Sequence, residues 1–244
     1  MASGYKLNGN VLSFNFPEGY DRKVPLVIDP TLIFSTYSGS LADNWGFTAT
    51  YDEEGNLYSG GIVRAIGFPV TNGAFQENFA GVWDVALLKF DTTGSQLIYA
   101  TYLGGTETET PHSIIVNNSN ELVIFGTTSS TDFPTTQDAY QNTFLGGETM
   151  DNDPDSQQPT NNLNVPVGGV PYVNGSDMYV AVLSNDGKDL VASSLFGGSE
   201  NDGLMLTMQS LTKNYGDAFR GEVIVDQDDN IYVATYTSSE DFPI

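Results

Sequence analysis

Leu97-Ile98-Tyr99-Ala100-Thr101-Tyr102-Leu103-Gly104-Gly105 occurs in three versions along this chain of 244 residues, each with companions at matching offsets. The earlier version is Leu32-Ile33-Phe34-Ser35-Thr36-Tyr37-Ser38-Gly39-Ser40, and the later one runs from Leu190 to Gly198. Leu32 to Leu97 is 65 residues, and Leu97 to Leu190 is 93. An internal repeat of this kind decides the architecture before any single residue does. The turn-like Asp52 to Asn56 returns as Asn117 to Glu121 and as Asp226 to Asn230, while Phe68-Pro69, Phe133-Pro134 and Phe242-Pro243 form a further series. Asp84 to Phe90 against Asp177 to Leu183 repeats the 93-residue spacing. The unit is therefore about 65 residues, and the longer intervals imply surface insertions at 146–175 and 201–221.

Each unit contains two hairpin patterns. In the first, β-prone runs such as His112 to Val116 and Leu122 to Gly126 flank residues that tolerate turn conformations. In the second, Met178 to Leu183 and Leu190 to Phe196 flank Ser184-Asn185-Asp186-Gly187, where glycine supplies the positive φ of a short loop. The earlier copy matches with Phe47 to Tyr51, Leu57 to Ile62, Val85 to Phe90 and Leu97 to Leu103. Four antiparallel strands per repeat predict an all-β fold, a partial β-propeller of two to three four-stranded blades preceded by a short N-terminal β segment. Strands apolar at consecutive positions, such as Val85 to Leu88, fit sheets covered on both faces. A sandwich or solenoid accounts for a four-strand repeat less naturally.

The expected organisation is a tail of a preceding β domain, or an artificial start, over 1–30 and propeller repeats over 31–244, divided at 31–96, 97–189 and 190–244. Within the first segment, Tyr5 to Phe14 predicts a hairpin over Asn8-Gly9-Asn10, and Val24 to Ile28 a further strand. A leading strand is expected at Leu32 to Tyr37, and the third repeat stops half-way, at Ile244.

With 26 glycines, 11 prolines and 27 phenylalanines and tyrosines, the composition suits short strands joined by turns. The net charge of −23 makes nucleic acid and anionic membranes poor partners, and favours cations, basic partners or neutral glycans. Cysteine is absent, which removes disulfides and thiolate chemistry. No run of about 18 apolar residues predicts a membrane span. Met1-Ala2-Ser3-Gly4 lacks the features of a signal peptide.

Ser129-Ser130-Thr131-Asp132-Phe133-Pro134-Thr135-Thr136, the Asp226 to Tyr232 turn followed by Thr237 to Pro243, and the Thr101 to Gly105 strand end resemble the bacterial seven-bladed β-propeller repeat family, abbreviated SBBP. The resemblance covers about residues 31 to 244. Leu26 to Leu32 is similar to the junction at which an N-terminal β domain hands over to such a propeller. Ala42 to Asp52 is similar to a subgroup carrying a gliding-motility-associated C-terminal region, which implies export by type IX secretion and display on the cell surface. The family has no established catalytic residues, so the resemblance assigns none here.

The expected function is a non-enzymatic module of a large exported surface protein, serving adhesion or protein interaction; the alternative is a carbohydrate-binding or carbohydrate-active module. Expected partners are the remaining domains of its own longer chain, an extracellular glycan or protein, and the type IX machinery during export. Asp151, Asp153 and Asp155 alternate in an acidic insertion and suit calcium, which takes six to eight oxygens, although the Gly and distal Glu of an EF-hand loop are missing. The alternating Asp226, Asp228 and Asn230 are better explained as a hairpin turn, because their counterparts vary in charge. His112, the only histidine, is expected to be structural. Glu200, Asp202 and Asp43 lie on equivalent loops and are the carboxylates best placed for glycosidase chemistry. Trp45, Trp83 and Tyr37 are expected to pack between blades, with sugar stacking as the alternative role.

Overall fold

The computed structural model describes residues 4–8, 11–21, 23, 33–150, 170–204 and 219–243. Every regular element among them is a strand, and no helix is long and apolar enough to cross a membrane. The chain divides into two compact units, Met1–Ile33 and Phe34–Ile244.

Among the described residues of the first unit, β1 (Gly4–Asn8) and β2 (Val11–Asn15) form an antiparallel hairpin in a register that sets Tyr5 opposite Phe14 and Leu7 opposite Leu12. The strand expected over Val24 to Ile28 lies outside the described residues.

Among its described residues the second unit holds two four-stranded antiparallel sheets and a two-stranded one, with strands paired in sequence order within each sheet. The first sheet comprises β3 (Asn44–Tyr51), β4 (Leu57–Val63), β5 (Asp84–Phe90) and β6 (Leu97–Leu103). The second comprises β7 (Glu109–Val116), β8 (Leu122–Thr128), β9 (Asp177–Leu183) and β10 (Leu190–Phe196). The third pairs β11 (Glu222–Val225) with β12 (Ile231–Ala234).

Local chemistry repeats with the strands. The β5–β6 and β9–β10 turns close through Gly94 and Gly187, both at φ +69°, whose amides donate to Asp91 O and Ser184 O. In the β3–β4 turn Asp52 accepts from the backbone and side-chain nitrogens of Asn56, each at 2.8 Å, and from Tyr58 Oη. Asp226 takes the same donors from Asn230 and Tyr232 in the β11–β12 turn. The alternating acids there form a hairpin turn, as expected. Register shifts interrupt β3 between Gly46 and Thr48 and β7 between Pro111 and Ser113, at equivalent positions. A bulge accommodates the missing N–H of Pro111. Opposite it, a Cβ on Gly126 would lie 2.1 Å from Thr110 O; one on Gly61 would lie 2.2 Å from Trp45 O.

Alternation sorts the side chains of each sheet between two cores. Val85, Leu87, Tyr99 and Leu103 of the first sheet pack with Ile114, Ile124, Tyr179, Ala181 and Leu183 of the second. The reverse face of the second sheet, with Val123, Phe125 and Val182, receives Val223 of β11. β7 lies against β3 on one side and β11 on the other.

Two expectations need correction. Residues 33–37 form no strand, because among the described residues no neighbouring strand offers them a ladder, although Phe34 still packs on Gly94 as Tyr99 packs on Gly187. The stretches taken as surface insertions also contribute core: Val170 and Tyr172 of 146–175, and Leu204 and Phe219 of 201–221, are buried with Ile62 and Trp83. Polar composition drew the boundaries too wide, since a few apolar residues at the ends suffice to anchor each stretch. Met150 and Tyr172, flanking 151–169, exchange backbone hydrogen bonds of 2.8 and 2.6 Å.

Candidate functional site

Buried carboxylates mark the ends of the strands where one sheet hands over to the next. Asp84, the first residue of β5, is fully buried and accepts hydrogen bonds from the amides of Ala80 (2.8 Å) and Gly81 (3.0 Å) and from Gln76 Nε2 (3.3 Å). Glu109, the first residue of β7, is equally buried and accepts from Gly105 N (3.0 Å) and Thr128 Oγ1 (2.6 Å). The side chain of Gln76 closes the arrangement by accepting from Gly104 N.

The next junction repeats it, with Asp202 in the place of Glu109. Asp177 opens β9 and accepts from Leu145 N, Gly146 N and Gln141 Nε2. Asp202 accepts from Gly198 N (2.7 Å), Ser239 Oγ (2.9 Å) and Thr237 Oγ1. A clasp backs each pair. Thr106 N donates to Asp132 and Glu107 N to Ser130 Oγ; Ser199 N donates to Asp241 and Glu200 N to Ser239 Oγ. Each clasp ties a Gly-Gly strand end to the following Phe-Pro connector. In the first copy Asn44, Ala65 and Gly67 occupy the positions of Glu109, Ser130 and Asp132, and Leu41 N donates instead to Gly67 O.

Burial raises the Asp84 and Asp177 carboxyls to about 6 and that of Glu109 to about 8, against the hydrogen bonds that pull the other way. Perturbed carboxyls are a mark of functional sites, but ion-pair and hydrogen-bond networks perturb them too. Here each of these carboxyls accepts hydrogen bonds from the junction it holds. Each carboxyl thereby fixes a strand end to its neighbouring connector.

The carboxylates singled out by sequence separate accordingly. Asp202 belongs to the buried junction, whereas Glu200 and Asp43 are exposed on their loops. Trp83 is buried and its ring lies 5.1 Å from that of Trp45, as expected for packing, with Arg64 Cζ 5.3 Å from the centre of the Trp83 ring. Tyr37 differs: it is 94% exposed, a consequence of the missing ladder along residues 33–37. His112 is buried against Phe125 and Phe219, its Nε2 3.2 Å from Thr127 Oγ1, and desolvation lowers it to about 3, so it stays neutral. Asp151, Asp153 and Asp155 lie outside the described residues. Among the described residues no cluster of three or more His, Cys, Asp or Glu side chains is arranged to hold a metal.

Sequence reasoning missed Asp84, Glu109 and Asp177 as buried groups. The signal was present in their constant offsets from the Gly-Gly pairs and from one another. No family model matches this chain, and no curated protein matches it.

Proposed function

We propose that residues 34–243 are consecutive blades of a β-propeller, and that the propeller is a non-enzymatic interaction module of an exported bacterial surface protein. The carrying observation is the repeated junction: Asp84 with Glu109 and Asp177 with Asp202 hold equivalent strand ends between successive sheets through equivalent donors. The consecutive packing of β3, β7 and β11 supports a radial order with these strands innermost. Display on the cell surface after type IX export rests on the SBBP resemblance, and the net charge of −23 suits a basic or neutral extracellular partner. Localisation of the natural protein in intact cells by surface proteolysis tests the export reading, and pull-downs from cell-surface extracts with the purified chain test the interaction reading. Hydrolysis of glycans without any captured partner would contradict it.

One observation favours the carbohydrate-binding alternative. Tyr140 is 68% exposed and stacks on Phe196 with centroids 5.7 Å apart and planes 13° apart, an open aromatic face of the kind that meets sugar rings. Glycan-array binding lost in Tyr140→Ala would support that reading. Calcium at Asp151, Asp153 and Asp155 remains a proposal tested separately, by a melting temperature that rises with calcium and falls with chelator.

A further inference from the structure

One lysine departs from the repeat. Near the end of β5, Lys89 stands where β9 has the buried Val182, and among the described residues it is the only buried lysine or arginine. Strand pairing therefore does not call for an amine here, and an ammonium gains nothing from burial unless it is paired. The groups that meet it come from both sheets. Asp52 Oδ2 lies 3.5 Å from Nζ, with the lysine and aspartate side chains 5% and 3% exposed, and the centre of the Tyr58 ring is 4.8 Å away. From the β9–β10 turn of the next sheet, Asn185 offers its backbone oxygen at 3.4 Å and its side-chain Oδ1, to which Nζ also donates.

The turn is held in that place by separate contacts. Gly187 O accepts from Phe75 N at 2.8 Å, and a Cβ on Gly187 would fall 2.5 Å from the Tyr99 ring. Cγ of Asn185 lies one C=O bond, about 1.2 Å, beyond Oδ1, which brings the amide carbon beside the amine. Tyr58 Oη is 3.2 Å from Asp52 Oδ2 and 3.3 Å from Asn185 Oδ1, the atom on which negative charge would develop. A desolvated amine, an acid–base group beside it and a donor at the carbonyl oxygen are the parts that attack of an amine on an amide requires. In the second sheet Val182, Asn117 and Val123 replace Lys89, Asp52 and Tyr58, so the set is particular to the first sheet and the turn that meets it.

We propose that Lys89 and Asn185 form an intramolecular isopeptide bond, which joins the first and second sheets covalently. Nζ passes a proton to Asp52 and attacks Cγ of Asn185, while Tyr58 Oη faces the oxyanion on Oδ1. Asp52 then carries protons from the attacking nitrogen to Nδ2, the Cγ–Nδ2 bond breaks, and ammonia leaves through the exposed side of Asn185. One C–N bond forms and one breaks: a lysine ammonium and a primary amide give a secondary amide and an ammonium ion, with no oxidant or reductant. The proposal holds whether or not the repeats close into a ring.

The test is mass spectrometry of the purified, folded chain after incubation at about pH 9, closer to the range in which an ordinary lysine amine is free. The intact mass should fall by one ammonia, trypsin should no longer cleave after Lys89, and tandem spectra should show a branched peptide linking Lys89 to Asn185. Asn185→Ala, at an exposed position, should fold and keep its full mass with Lys89 cleavable. Asp52→Asn, folded by circular dichroism, should form the bond at least tenfold more slowly. A folded chain of full mass with Lys89 cleavable, an ammonia loss that maps only to Asn72 or Asn174, each followed by glycine, or undiminished bond formation in Asp52→Asn would each overturn the proposal.

Discussion

Asp84 and Glu109, 25 residues apart, close on the same backbone atom: a Cβ built on Gly104 would lie 2.9 Å from Asp84 Oδ1 and 2.3 Å from Glu109 Oε2. The fold thus brings two carboxyls together out of contact with water. Burial is the main cause of the rise in both, with the charge of Asp84 adding to the rise in Glu109, and among the described residues neither has a cationic partner.

That arrangement sets a pH dependence. A carboxyl raised above its ordinary value keeps in the fold a proton that the unfolded chain releases near pH 4. Its contribution to stability is therefore full below about pH 4 and is lost as pH rises, through about 6 for Asp84 and Asp177 and about 8 for Glu109. Asp226, held at about 2 by Asn230, acts in the opposite sense, contributing above pH 4 and losing that contribution as pH falls. Melting temperature should peak near pH 4–5 and decline to pH 8. Glu109→Gln should flatten the part of the decline above pH 6; an unchanged slope would show that Glu109 is ionised throughout.

Space at the junction is equally restrictive. Gly104→Ala and Gly197→Ala each drive a methyl group into a buried carboxylate, at 2.3 Å from Glu109 and 2.4 Å from Asp177. Each should cost roughly 2–4 kcal/mol in denaturant unfolding, within the range for overpacking of a fixed core. Gly46→Ala, with no atom within 4 Å of its new methyl, should change stability by less than about 0.5 kcal/mol.

The end of β5 opposite Asp84 carries a separate polar link. Lys89 on β5 is buried, 3.5 Å from Asp52 and 4.8 Å from the centre of the Tyr58 ring, and it donates to Asn185 in the β9–β10 turn of the next sheet. Burial pushes Asp52 up, but the Asn56 hydrogen bonds and the nearby ammonium hold it below the ordinary carboxylate range. Lys89→Met should destabilise the chain by about 3 kcal/mol, the scale for stranding one half of a buried pair. Hydrogen exchange in the second sheet should quicken along with the first; a change confined to β3–β5 would show that Lys89 does not couple the sheets.

The repeat made most strands legible, because hairpin turns and β-prone runs are local: Asp52 to Asn56 and Ser184 to Gly187 announce their geometry in four or five residues. What escaped was set by partners distant in sequence. Residues 33–37 have the sequence of a strand, but among the described residues none pairs with them in a ladder, so Tyr37 is exposed where Tyr102 is buried. Val170, Tyr172 and Phe219 sit within polar stretches, and their burial depends on Ile62 and Trp83, with Ile62 more than a hundred residues away from all three. Glu109 and Asp84 looked like ordinary surface acids among 31, since desolvation is a property of the assembled sheets and leaves no mark on a single residue.

The central claim is that four-stranded sheets built from repeats of about 65 residues stack radially. An experimental structure of a chain containing these residues, with the strands of residues 44–103 superposed on those of 109–196, measures it directly. The account predicts a single rotation about an axis nearest β3, β7 and β11 that carries each sheet onto the next and Asp84 onto Asp177. Two sheets packed face to face with no common axis, or carboxylates of Asp84 and Asp177 in unrelated surroundings, would contradict it.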